Sequence, residues 1–263
     1  IYYTNEVDVQ SSYWGTGGDG GSLLADSTFY KVFGMNHGGS RLGKEEITAQ
    51  WRHISQFESD LEKEHSKRSD TLVIERGGAS PVAQPGVDLL ARFLHDEIVK
   101  ASDDTSSSSV VNILLPSGTG TTCLFLAKYF FDSQRQSLGG SPNVKVWTVP
   151  CVGRSPYLYD QMEAVCPSTE RSWLGSNIHC MESKSKFRRF AQPHVQLYEL
   201  WKQFVDVYGV EFDLIYAPKT LVTFVDRLQE QPELSKQRWI YIHTGGEAGN
   251  PSQLERYRKL RRQ

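Results

Sequence analysis

From residue 110 onward, short apolar runs alternate with segments whose apolar residues recur every three or four positions. Residues 110–115, 144–149, 212–216 and 239–243 read as strands. Residues 121–131, the segment around Tyr157–Val165, and the stretch carrying Leu197, Trp201, Phe204, Val205 and Tyr208 read as helices. So do a segment with Leu221, Phe224, Val225 and Leu228 and the closing residues of the chain, whereas residues 166–192 read as irregular. Apolar strands separated by amphipathic helices need cover on both sides. The pattern therefore predicts an α/β fold, an open, mostly parallel sheet with helices on both faces. Ligands of such sheets sit beyond the C-terminal ends of the strands. Three unusual segments fall there: Ser117–Thr122, Tyr216-Ala217-Pro218-Lys219 and His243-Thr244-Gly245-Gly246.

The first 109 residues are less regular. Ile1-Tyr2-Tyr3 and Val7-Asp8-Val9 are strand-like, and residues 15–45 are glycine-rich and predicted irregular, with Asn36-His37-Gly38-Gly39 at their centre. Ile47, Trp51, Ile54, Phe57 and Leu61 form one apolar stripe of a predicted helix. Thr71–Glu75 reads as a buried strand, Val87, Leu90, Leu94 and Ile98 mark another helix, and Asp103–Ser109 is a polar low-complexity loop. A partial N-terminal or small domain over 1–109 and a larger α/β domain over 110–263 are expected, together long enough to bury a substantial core.

A formal net charge of -2 and the lack of a long Lys/Arg stripe argue against nucleic acid as a partner. The basic run Arg256–Arg262 reads as the last turn of a helix, where cations complement the dipole. No apolar run reaches the roughly 20 residues of a membrane span. The four cysteines (Cys123, Cys151, Cys166, Cys180) have no CxxC spacing, so reduced thiols in a soluble intracellular protein are expected and no metal site is. The sequence opens at Ile1 in strand-like residues with no visible signal peptide.

The run Val110-Val111-Asn112-Ile113-Leu114-Leu115-Pro116 ends in Ser117-Gly118-Thr119-Gly120-Thr121-Thr122. A turn of glycines and hydroxyl residues before a helix aims unpaired amides, hydroxyls and the helix dipole at one spot, which suits a phosphate. The Gly-Lys-Ser/Thr of a nucleotide P-loop is missing, since Thr121 and Thr122 follow Gly120.

Taken together, five segments resemble a known family. They are Ile74-Glu75-Arg76-Gly77-Gly78-Ala79-Ser80, Leu115–Thr122, Val152-Gly153-Arg154-Ser155, Glu211–Lys219 and Tyr241–Gly246, in that order. They are similar to the motifs of 1-aminocyclopropane-1-carboxylate deaminase and D-cysteine desulfhydrase, pyridoxal-phosphate (PLP) enzymes of the tryptophan-synthase-β-like fold (fold type II). The resemblance spans roughly residues 70–255. It implies PLP as cofactor, serving as an electron sink. It further implies a small amino acid as substrate, α,β-elimination or ring-opening deamination as reaction, and a homodimer. Ser117, Gly118, Thr119, Gly120, Thr121 and Thr122 would hold the phosphate, and Tyr216 would act in catalysis beside the cofactor. Thr244 would bond near the pyridine edge. Lys219 matches a family lysine other than the one that forms the Schiff base.

Two departures stand against the pattern. The family's lysine-bearing segment and its cofactor-ring "QSNH" segment have no counterpart here. Asn36-His37 lies too close to the Ile74–Ser80 motif to be the latter. The chain is thus expected to start about a third of the way into the family's length. Ala217-Pro218 also stands where a polar residue and a glycine follow the tyrosine, and alanine offers the pyridine nitrogen no hydrogen bond. Whether the chain is an enzyme stays open at this level. The alternatives are a non-catalytic homologue serving as a binding module, and an α/β enzyme for another phosphate ligand. Against the latter stands the absence of a GxGxxG turn followed by an acidic residue.

Overall fold

The computed structural model describes the backbone of residues 22–25, 30–33 and 72–74, and residues 76–101, 110–136, 142–166, 171–244 and 246–260. The predicted helix over 47–61, the strand-like pieces at 1–9, Asn36-His37, the loop at 103–109 and Gly245 lie outside the described residues. The chain divides into two units, residues 79–245, and residues 1–78 together with 246–263.

In the latter unit, β1 (Ser22–Ala25) pairs antiparallel with β2 (Tyr30–Phe33) and with β3 (Leu72–Ile74), giving the order β2-β1-β3. Two strands thus lie in the stretch 15–45 expected to be irregular. Each spans only four residues, too short for an alternation to stand out among the glycines.

The unit of residues 79–245 holds the expected parallel sheet, ordered β6-β5-β4-β7, from β4 (Val111–Ser117), β5 (Val144–Pro150), β6 (Ile178–Cys180) and β7 (Arg238–Tyr241). β4 and β5 pair over seven residues each, from Val111↔Val144 to Ser117↔Pro150. Alternate side chains serve opposite faces, as the pleat requires. Val111, Ile113 and Leu115 of β4, with Val144, Val146 and Ile178, face a core shared with α1 (Gln84–Lys100), α2 (Thr121–Gln136), α3 (Ser155–Val165) and α4 (Arg171–Asn177). Leu114, Val149 and Met181 point the other way, with Trp147, Trp239 and Tyr241, and Phe224 of α6 (Ala217–Glu230) packs there.

Local chemistry sets the helix limits. Val87, Ala91, Leu94 and Ile98 repeat at helical spacing along α1 and are buried. Pro156 and Pro218 sit in the first turns of α3 and α6, where a missing N–H costs nothing. α5 (Val195–Tyr208) begins at His194, whose Nδ1 accepts from Gln196 N–H at 3.2 Å, and ends at Gly209 with φ 64°. α7 (Asn250–Leu260) belongs to the other unit.

Two expectations are corrected within this unit. Residues 212–216 form no strand but lead through a bend at 214–216 into α6. The stretch 166–192, expected to be irregular, contains α4 and the edge strand β6. Among the described residues no helix is long and apolar enough to cross a membrane, and no group of three His, Cys, Asp or Glu side chains could hold a metal.

Candidate functional site

At the C-terminal end of the sheet, β4 runs into Ser117–Gly120 and then directly into α2. Ser117 is buried and still part of the sheet. Its carbonyl accepts Cys151 N–H at 2.8 Å, and its Oγ lies 2.6 Å from Thr148 Oγ1. The Thr119 and Thr121 hydroxyls are 3.0 Å apart. Gly120 adopts φ +79°, and a Cβ there would stand 2.5 Å from Met162 Cε and 2.8 Å from Leu158 Cδ1. Only glycine permits both the left-handed backbone and the close approach of α3. Leu124 N–H makes the first helical bond, to Gly120 O at 2.8 Å, so the amides of Thr121, Thr122 and Cys123 precede the helical ladder.

Two other helices start at the same end of the sheet, and each carries a carboxylate. Glu182, just beyond β6, takes Ser155 N–H at 2.7 Å and the Ser155 hydroxyl on Oε1, with Arg154 Nε 3.8 Å from Oε2. Burial alone would raise its pKa, but the bonds from Ser155 and the charge of Arg154 outweigh that and hold it below the ordinary value. Asp213 serves α6. Its Oδ1 accepts Ile215 N–H at 2.9 Å and Tyr216 N–H at 2.5 Å, and its Oδ2 accepts Ala217 N–H at 3.1 Å. The start of α2, by contrast, meets no carboxylate among the described residues.

Tyr216, expected to be catalytic, precedes α6 and is brought to this loop. A Cβ on Gly118 would lie 3.6 Å from Tyr216 Oη and 3.8 Å from Cε1. The Tyr216 ring also meets that of Phe190, with centroids 5.6 Å apart. Thr244 is exposed past the end of β7, where Ile242 N–H still bonds Leu114 O at 2.8 Å. No hydrogen bond among the described residues ties Thr244 to the loop. Ala217, in place of a polar residue, is fully buried in the first turn of α6.

Three further residues stand here. Lys219 is 4% exposed, donates to Cys151 O at 3.1 Å, and has no carboxylate within ion-pair distance among the described residues. Burial pushes its pKa down. Cys151 is buried under the loop with Sγ 3.7 Å from Thr220 Oγ1, and burial pushes its thiol up to about 11. His243 accepts Asp213 N–H on Nε2 at 3.3 Å, with Asp213 Oδ2 3.4 Å from the same nitrogen. Asp213 gave no capping signal, because a capping side chain is expected immediately before a helix and Asp213 stands four residues before α6. Neither the pairing of His243 with Asp213 nor that of Cys151 with Thr220 was signalled, beyond the place of His243 in the Tyr241–Gly246 motif, since the partners lie 30 and 69 residues away.

No family model matches the sequence, and no curated protein matches it. Among solved structures the fold is similar to that of an ACC deaminase homologue, with a TM-score of 0.50 and 15% identity. The likeness covers 82% of this chain and 61% of that chain, so the present chain spans less than two thirds of that protein. Likeness at this identity establishes the fold, which is the α/β architecture of that protein.

Proposed function

We propose that Ser117–Thr122 binds the phosphate of pyridoxal phosphate, and that the chain belongs to a PLP-dependent lyase or deaminase acting on a small amino acid. One observation carries this reading. Of the helices α2, α3 and α6, two have their first amides matched by Glu182 and Asp213, while α2 opens onto glycines and hydroxyls alone. An anionic ligand supplies there what a carboxylate supplies to the other two.

The residues fit a phosphate ester. Gly118 leaves open the space below the Tyr216 phenol, and the Thr119 and Thr121 hydroxyls add donors beside the amides. When bound, the cofactor supplies an electron sink for charge developing at the α-carbon of an amino acid. The chain's own part is to hold the phosphate at 117–122 and to present Tyr216 Oη next to Gly118, where a phenol can hold or pass a proton. Thr244 is a further donor at the same end of the sheet.

A second reading, a non-catalytic homologue that binds the phosphate without turnover, is favoured by Ala217 and by Lys219. The Ala217 methyl offers no proton partner, and the Lys219 amine is committed to Cys151 O. Absorbance titration with pyridoxal phosphate, followed by borohydride reduction and peptide mapping, separates the two. Saturable binding with label fixed on one lysine supports the enzyme. Saturable binding without a fixed label supports the binding module. Absence of saturable binding overturns both.

A further inference from the structure

The segment before α6 is held more firmly than a loop requires. Asp213 is 3% exposed, and its carboxylate takes three consecutive backbone amides, two on Oδ1 and one on Oδ2. Its own N–H is given to His243 Nε2 at the end of β7. One residue earlier, Phe212 O accepts Trp201 Nε1 of α5 at 2.8 Å, and the Phe212 ring meets His243 edge to face. The backbone of residues 212–217 is therefore tied to α5, to the end of β7, and to a buried anion inside its own turn. The side chain in the middle of this tie is Tyr216, whose phenol stands beside Gly118.

We propose that Asp213 is a positioning residue that sets the Tyr216 phenol against the Ser117–Thr122 loop, with His243 bracing it from β7. Asp213 reaches no ligand itself and acts through the amides of Ile215, Tyr216 and Ala217. A short capping side chain would satisfy one amide of a helix start. Three amides on one carboxylate fix both the direction from which the chain enters α6 and the angle at which Tyr216 leaves it. The proposal rests on the reading that Tyr216 serves a ligand in the loop.

The two oxygens give a test with residue resolution. In full-length protein carrying Asp213→Asn, the carbonyl oxygen still serves Ile215 and Tyr216, but an NH2 now faces Ala217 N–H. Hydrogen exchange at Ala217 is then expected to speed at least tenfold, with Ile215 and Tyr216 little changed. Asp213→Ala is expected to release all three while amides in β4 and β5 keep their protection. The second readout is affinity for pyridoxal phosphate and, separately, for inorganic phosphate. Tyr216→Phe and Asp213→Ala are each expected to weaken pyridoxal phosphate about tenfold and leave inorganic phosphate unaffected. The double variant should lose no more than either single one, and Asp213→Asn should recover most of the loss. Unchanged exchange at 215–217, or additive losses in the double variant, overturns the proposal. If Asp213→Ala does not fold, the Ala217 exchange in Asp213→Asn decides. Should wild-type protein bind no pyridoxal phosphate, the proposed function falls and the exchange data still decide whether Asp213 holds Tyr216.

Discussion

The Tyr216 hydroxyl lies 3.6 Å from the place a Cβ on Gly118 would occupy. That distance is ordinary van der Waals contact, so Gly118→Ala fits without strain. Its stability should stay within about 0.5 kcal/mol of wild type in urea unfolding. The added methyl nevertheless fills the gap between phenol and loop. Pyridoxal phosphate affinity should fall roughly tenfold, a loss of about 1.4 kcal/mol. Equal affinity in the two proteins would show that the gap is not used.

Gly120 is the opposite case. An alanine there must adopt φ +79° and place its methyl 2.5 Å from Met162 Cε. The left-handed backbone costs about 1–2 kcal/mol and the overpacking about 1–3 kcal/mol. Gly120→Ala should therefore lower stability by about 2–5 kcal/mol, read as a shift of the urea midpoint at constant slope. A loss under about 1 kcal/mol would mean that the loop and α3 separate easily.

Cys151 should resist alkylation in the folded protein at neutral pH, because it is 1% exposed and burial lifts its thiol to about 11 from an ordinary 9. A group with its folded pKa raised stabilises the fold below the unfolded value, and that contribution fades as pH climbs through the folded one. The window here runs from about 9 to about 11. Cys151→Ala should thus show a shallower alkaline loss of stability, by on the order of 2 kcal/mol. Identical pH profiles for variant and wild type would contradict the assignment.

Lys219 carries the opposite sign. Burial depresses its pKa below the ordinary 10.5. Its contribution is favourable above 10.5 and lost as pH falls through the depressed value, so at neutral pH the ammonium is a cost. Lys219→Met should raise stability at pH 7 by about 1 kcal/mol, with the advantage shrinking toward pH 10.5. The comparison must be made as a difference from wild type, since Cys151 titrates in an overlapping range. A destabilised variant at pH 7 would show that the bond to Cys151 O outweighs the burial of the charge.

What the sequence revealed was local. The strand, glycine turn and helix of residues 111–136 were legible because each depends on neighbours in the chain. Phe212-Asp213-Leu214-Ile215-Tyr216 has the composition of a strand, yet Asp213 captures the amides that a ladder would use. β6 was missed because its three residues, Ile178, His179 and Cys180, carry too little periodicity and take their register from β5. The meeting of Tyr216 with Gly118 spans nearly a hundred positions and had no signal except the family resemblance. The same holds for the bracing by His243.

The unequal lengths of the ladders have a consequence for how the molecule breathes. β4 is paired with β5 over seven residues but with β7 over four, from Val111↔Arg238 to Leu114↔Tyr241. Opening free energies follow such differences in hydrogen bonding and burial. The Ser117–Thr122 turn is rooted in the longest ladder of the sheet, whereas His243 and Thr244 follow a strand joined to β4 by a shorter one. A guest seated against both would act as a rivet, and its arrival should register as slowed exchange along β7 well before any change is seen in β5.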